Sequence, residues 1–219
     1  MDAPTPIRSA ADLVRLGPVI PVVVLDDAAD AVPLARALLR GGVRTMEITL
    51  RTPAALPALR EVATRVPEMV VGAGTVLTAA QVDEAAAAGA RFLVSPGATA
   101  RLTRAALDTG LPYLPGAGTV GEMMALAEAG LTTVKFFPAA AAGGPAYLAA
   151  LSQPLPDLTF CPTGGVSADT APRWLALPNV ACVGGSWLTP AAAVRARDEA
   201  TLTTLARRAA ALGSDGGSG

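Results

Sequence analysis

The sequence holds a single lysine, Lys135, although it carries 17 lysines and arginines together. It lies in the apolar run Thr133-Val134-Lys135-Phe136-Phe137-Pro138, which reads as a buried strand. An amine there can do what a guanidinium cannot: lose its proton and attack a carbonyl. The sharp reading is a Schiff-base nucleophile. The plain alternative is a lysine that extends from a strand end and keeps its charge in water.

A carboxylate stands ready in Thr45-Met46-Glu47-Ile48-Thr49-Leu50-Arg51. Strand side chains alternate, so Thr45, Glu47, Thr49 and Arg51 share one face, while Met46, Ile48 and Leu50 share the other. The apolar face must pack on helices, and the polar face then looks inward. A buried carboxylate needs a partner. Glu47 could move protons, and Arg51 could hold a substrate carboxylate in a forked pair. A structural ion pair between them, or with Lys135, is the competing reading. By the same alternation Thr133, Lys135 and Phe137 share a face, and Phe137 would shield the amine from water.

Small residues mark other strand ends. Val71-Gly72-Ala73-Gly74-Thr75 leaves room for close approach, and Thr75 offers a hydroxyl. Gly164-Gly165 and Gly184-Gly185 mark the ends of the strands in the seventh and eighth apolar runs, with Thr163 and Ser186 as hydroxyl donors. Most Gly-Gly pairs are only turns. Two of them after the last two strands of a barrel match the place where backbone N–H groups hold phosphate.

These positions need a scaffold that gathers strand ends. Short apolar runs at 19–25, 45–50, 70–76, 92–96, 112–115, 133–138, 158–162 and 181–188 alternate with alanine-rich helical stretches. The helices are expected at 28–40, 53–66, 79–88, 99–108, 120–129, 145–151, 168–176 and 191–212, with a short extra helix at 9–16 before the first strand. Thr52, Thr78 and Ser167 sit where N-caps belong, and Gly41, Gly89, Gly110 and Gly130 where helices end. This alternation predicts one (β/α)8 TIM barrel over residues 1–212, followed by a flexible Gly/Ser tail at 213–219. An open doubly wound sheet would want a Gly-rich loop after the first strand, and Val24-Leu25-Asp26-Asp27 is not one.

Composition narrows the function. Histidine is absent, which removes His bases, Ser-His-Asp triads and most transition-metal sites. The formal net charge is −1 and no basic block occurs, so no nucleic-acid partner is expected. No apolar stretch is long enough for a membrane span. Two distant cysteines, Cys161 and Cys182, fit a reduced, cytoplasmic protein and read as core residues.

In combination, MEITLRT with Glu47 and Arg51, GAGTV at 72–76, Ser95-Pro96-Gly97, VKFFPA around Lys135, CPTGGV at 161–166 and VGGSWL at 183–188 resemble the 2-keto-3-deoxy-6-phosphogluconate (KDPG) aldolases. Many of these also cleave 4-hydroxy-2-oxoglutarate (KHG). The resemblance implies a metal-independent class I lyase of the Entner-Doudoroff route, with no cofactor beyond a covalent imine through Lys135. It implies Glu47 as acid–base and Arg51 with Thr75 on the pyruvoyl carboxylate. The phosphate would sit near Thr163, Gly164, Gly165, Gly184, Gly185 and Ser186. The partners it implies are a phosphorylated keto acid and two further copies of the chain in a homotrimer. Gly118 stands where close relatives would have serine, and Ala139 to Ala142 replace a more polar run. The gluconate and galactonate C4 epimers are both open as substrates. A phosphate-binding isomerase or synthase and a non-catalytic oligomeric scaffold are the other readings.

Overall fold

The computed structural model describes residues 7–212; the expected tail at 213–219 lies outside the described residues. Chain order is α1 (Ala10–Val14), β1 (Val19–Val23), a 3-10 turn (Ala28–Asp30), α2 (Ala31–Arg40), β2 (Thr45–Thr49), α3 (Ala55–Arg65), β3 (Val70–Gly74), α4 (Ala79–Ala87), β4 (Leu93–Val94) and α5 (Ala100–Asp108). There follow β5 (Tyr113–Leu114), β6 (Gly116–Ala117), α6 (Val120–Glu128), β7 (Thr133–Phe136), α7 (Gly144–Leu151), β8 (Thr159–Pro162), α8 (Ala171–Leu175), β9 (Val183–Gly185), α9 (Ala191–Arg195) and α10 (Glu199–Ala211).

The strands are parallel and curl into an α/β fold. Their ladders form two sheets, β5-β4-β3-β2-β1-β9 and β6-β7-β8. Within the fifth apolar run only β5 forms; it stops at Pro115, which has no N–H to give a ladder, and β6 begins just past the run. Isolated parallel bridges, Phe160 with Val180 and Thr163 with Gly184, link the far side of the smaller sheet toward β9.

Strand alternation sorts the core. Met46, Ile48, Val71, Leu93, Val134, Phe136, Phe160 and Val183 face the helices in the main apolar cluster. There Phe136 stacks on Tyr147 with ring centroids 5.3 Å apart. Burying a side chain of this size stabilises by about 1.5–3 kcal/mol. The opposite parity forms a second cluster of Ile20, Val70, Phe92, Val94, Leu114, Cys161 and Cys182, against which α1 places Ala10, Leu13 and Val14. Cys161 and Cys182 are buried free thiols. A hydrogen bond with Cys161, reinforced by burial, pushes the Cys182 thiol well above its ordinary value.

Local signals held in part. Thr78 caps α4 by accepting from the Gln81 N–H. Gly89, Gly110 and Gly130 adopt the positive φ of helix ends, but after α2 that role falls to Gly42 rather than Gly41. Gly41 is small for another reason, since a Cβ on it would overlap Ala206 of α10. Thr52 is not a cap: α3 starts from Ala54 with no side-chain cap, and the Thr52 hydroxyl donates to the Leu25 carbonyl instead. Ser167 opens a turn, accepting from the Thr170 N–H, before α8 begins. The expected helix over 191–212 is two helices. The chain breaks at Arg197, whose φ is +50° and whose Nε lies 2.8 Å from Asp30 Oδ1. Among the described residues no helix is long and apolar enough to cross a membrane.

Candidate active site

Lys135 and Glu47 meet inside the fold. Lys135 Nζ lies 3.3 Å from Glu47 Oε1 and 3.5 Å from Oε2. Both residues are buried, at 4% and 2% exposure. Glu47 is held on β2, whose ladder to β3 pairs it with Gly72. Lys135 is held on β7 between Gly116 of β6 and Cys161 of β8. Taking two charges out of water costs several kcal/mol per ion, and an apolar pair would often serve stability better. A lone buried pair of this kind therefore points to chemistry.

The surroundings shape the pair. The Phe137 ring centroid is 5.6 Å from Lys135 Nζ, so the amine meets an aromatic face. Gly74, at the end of β3, leaves the space that the Glu47 carboxylate fills. The sequence marked this glycine as room for a substrate or a second backbone, whereas its neighbour is Glu47 itself.

Arg51 is exposed just beyond β2 and forms no ion pair with the described residues. Of the two pairings in the competing reading, Arg51 with Glu47 does not form, while Lys135 with Glu47 does. The segment that carries Arg51 is tied down on both sides. The Thr49 hydroxyl donates to the Val23 carbonyl at 2.9 Å, and the Leu50 N–H donates to the Gly74 carbonyl at 2.8 Å. Thr75 follows β3, half-buried, with φ +55°. A β-branched residue in the left-handed region costs about 1–3 kcal/mol and persists where the surroundings hold it. No residue type in the sequence signals that strain.

The glycine pairs come together through the Thr163–Gly184 bridge. Gly164 and Gly165 turn with φ +96° and +76°. The N–H groups of Gly165 and Ser186, both exposed, have no backbone acceptor among the described residues, so an anion can take them, whereas the bridge turns the Gly164 N–H toward Gly184. The rest of the expected set is less available. Gly184 and Gly185 belong to β9, and the Trp187 ring lies over Gly185. The buried Thr163 hydroxyl donates to the Cys161 carbonyl at 3.3 Å. Ser186 is exposed.

Ser95, at the end of β4, turns away from this group. Its hydroxyl hydrogen-bonds the Tyr113 hydroxyl at 2.7 Å. Gly118 precedes the capping box in which Thr119 and Glu122 open α6, and its N–H donates to Glu122 Oε2 at 2.8 Å. That contact holds the Glu122 carboxyl below its ordinary value, against burial, which raises it. No group of three or more His, Cys, Asp or Glu among the described residues could hold a metal ion.

Residues 10–205 match the family model for KDPG and KHG aldolase. The KHG/KDPG aldolase of Escherichia coli strain K12 is 48% identical over 201 residues, 92% of this chain and 94% of that one. A crystal structure of KDPG aldolase from Legionella pneumophila, with pyruvate captured as a covalent carbinolamine, superposes with a TM-score of 0.90 at 43% identity. It covers 92% of this chain and 98% of that one. The aldolase of Zymomonas mobilis ZM4 with 3-phosphoglycerate gives a TM-score of 0.89 at 44% identity, covering 94% and 96%.

Proposed function

The chain belongs to the KDPG and KHG aldolase family, and from that premise we propose that it cleaves 2-keto-3-deoxy-6-phosphogluconate to pyruvate and glyceraldehyde 3-phosphate. The observation that carries the reading is the buried contact of Lys135 Nζ with Glu47. It cleaves 4-hydroxy-2-oxoglutarate to pyruvate and glyoxylate by the same steps. The reaction is that of a class I lyase, in which the lysine imine takes the place of a cofactor.

Proton transfer from Nζ to Glu47 leaves a neutral amine beside a carboxylic acid. The amine adds to the C2 ketone, and Glu47 gives its proton to the departing oxygen, so that water leaves and an iminium forms. The C3–C4 bond then breaks, and its electron pair moves into the iminium to give an enamine. The C4 hydroxyl proton passes to Glu47 or to a water it holds, and the aldehyde departs. Protonation at C3 and hydrolysis release pyruvate and restore Lys135. Arg51 and Thr75 hold the substrate carboxylate, which keeps the ketone at attacking distance. The exposure of Arg51 and the strained backbone of Thr75 support this. Gly165 and Ser186 offer open N–H groups to the phosphate, beside Gly164, with Thr163, Gly184 and Gly185 forming the wall behind them.

The same reading joins the two sheets into one (β/α)8 barrel, supported by the continuity of β5 with β6 and by the Thr163–Gly184 bridge. It also makes the assembly a homotrimer, consistent with Val120 and Met124 exposed one turn apart on α6. Sedimentation measures that assembly. The free thiols Cys161 and Cys182 suit work in a reducing cytoplasm.

The test is a coupled pyruvate assay on both C4 epimers, with borohydride trapping of pyruvate. A pyruvate-derived mass on the peptide containing Lys135 is expected, together with turnover of the gluconate epimer. No trapped adduct would favour an isomerase that keeps Lys135 charged. No turnover and no pyruvate binding would leave a scaffold.

A further inference from the structure

We propose that Thr52 is the positioning residue for Arg51, acting through the carbonyl of Leu25. The proposal deepens the reading of Arg51 as the carboxylate clamp and rests on it. Thr52 stands where a helix cap is expected, yet α3 begins from Ala54 with no side-chain cap. The hydroxyl spared from capping donates across to Leu25, a residue 1% exposed. Thr49 makes the matching bond to Val23 from the other side of Arg51. Two threonine hydroxyls thus bracket Arg51 and fasten its flanks to the end of β1 and the segment just after it.

Arg51 has no protein carboxylate to orient it among the described residues. The location of its guanidinium therefore depends on the backbone beneath it. A forked carboxylate contact tolerates little displacement. The Thr49 hydroxyl is wholly buried near Glu47 on β2, so its loss would disturb the proton-transfer pair as well. Thr52 lies beyond the strand, next to Arg51 and away from Glu47.

The experiment compares Thr52→Val, Thr52→Ser, Arg51→Gln and the Thr52→Val/Arg51→Gln pair, with KM and kcat on the phosphorylated substrate and a melting curve for each. Losing one hydrogen bond of this type should raise KM about threefold to tenfold and leave kcat within about twofold. Thr52→Ser keeps the hydroxyl and should restore KM. In the Arg51→Gln background Thr52→Val should add no further KM change. An equal KM penalty in both backgrounds overturns the proposal, because Thr52 would then act independently of Arg51. So does a Thr52→Val protein with unchanged KM. If Thr52→Val fails to fold, Thr52→Ala carries the same comparison. An Arg51→Gln protein with normal KM removes the clamp reading itself and the role of Thr52 with it.

Discussion

The side chain that Gly74 lacks would occupy the space of the Glu47 carboxylate: a Cβ there overlaps Glu47 Oε1 and Cγ. Gly74 adopts no left-handed φ, so backbone freedom is not the reason for glycine. Size is the reason. β3 is pared to hydrogen at the position facing Glu47, which lets the carboxylate settle between β3 and the amine of Lys135.

Gly74→Ala is therefore expected to act on chemistry through Glu47. The methyl group pushes the carboxylate off its contact with Nζ. Turnover should fall about 10- to 100-fold, and overpacking should cost about 1–3 kcal/mol of stability. Steady-state kinetics and urea titration read the two effects separately. Full turnover in a folded Gly74→Ala protein would falsify the account of this glycine.

Lys135→Arg keeps a cation beside Glu47 and so keeps the buried pair charged and matched. It removes the only side-chain amine in the sequence. A guanidinium does not form the imine. Turnover should drop by at least about 10³-fold, while the circular dichroism spectrum stays that of the parent. Borohydride with pyruvate should then add no mass. Retained activity with a trapped adduct elsewhere would move the nucleophile to another amine.

Tyr113 gives a prediction in pH. Its phenol is 3% exposed, and burial raises its pKa above 10.0, opposed by the hydrogen bonds to Ser95 and Thr103. A raised acid stays neutral in the folded state while the unfolded chain ionises. Its contribution is thus fully present below the unfolded value and is lost as pH rises through the folded one. At neutral pH, Tyr113→Phe should cost about 0.5–1.5 kcal/mol through the bond lost to Ser95. The gap between variant and parent should narrow above pH 10, because only the parent loses the share carried by the phenol. Urea midpoints at neutral and alkaline pH measure this, and a constant gap would mean that the phenol ionises equally in both states.

Periodicity made much of this fold legible. Alternation in β2 and β7 placed Glu47 and Lys135 inward and Met46, Ile48, Val134 and Phe136 toward the helices, as the two apolar clusters show. What it missed depends on contacts between distant segments. Nothing local says that Thr52 will prefer the Leu25 carbonyl to capping its own helix. The last helix breaks at Arg197 without a glycine or proline: Arg197 pairs with Asp30 across 167 positions, and the Asp198 carboxylate caps α10 by accepting from the Thr201 N–H, a local signal that periodicity passes over. The phosphate set was read from two Gly-Gly motifs of equal weight. Ladder bonding and the Trp187 ring make them unequal, leaving the 164–165 turn as the more open one.

That inequality yields the last prediction. Gly165 holds φ +76°, and a Cβ on it would overlap Ala140 Cβ. Gly165→Ala therefore carries a backbone penalty of about 1–2 kcal/mol together with a clash, and both are relieved by moving the turn. The turn is bonded to the segment after β7, where the Ala140 N–H donates to the Gly164 carbonyl at 3.0 Å, and the open Gly165 N–H serves a substrate that brings an anion to it. The two substrates of the family separate these effects, since 4-hydroxy-2-oxoglutarate carries no phosphate. KM for the phosphorylated sugar acid should rise about tenfold or more, as expected for one lost charge-assisted bond. KM and kcat for 4-hydroxy-2-oxoglutarate should stay within about twofold of the parent. Equal losses on both substrates would mean that the shifted turn reaches the amine. Equal retention would place the phosphate elsewhere, with Ser186 as the next donor to remove.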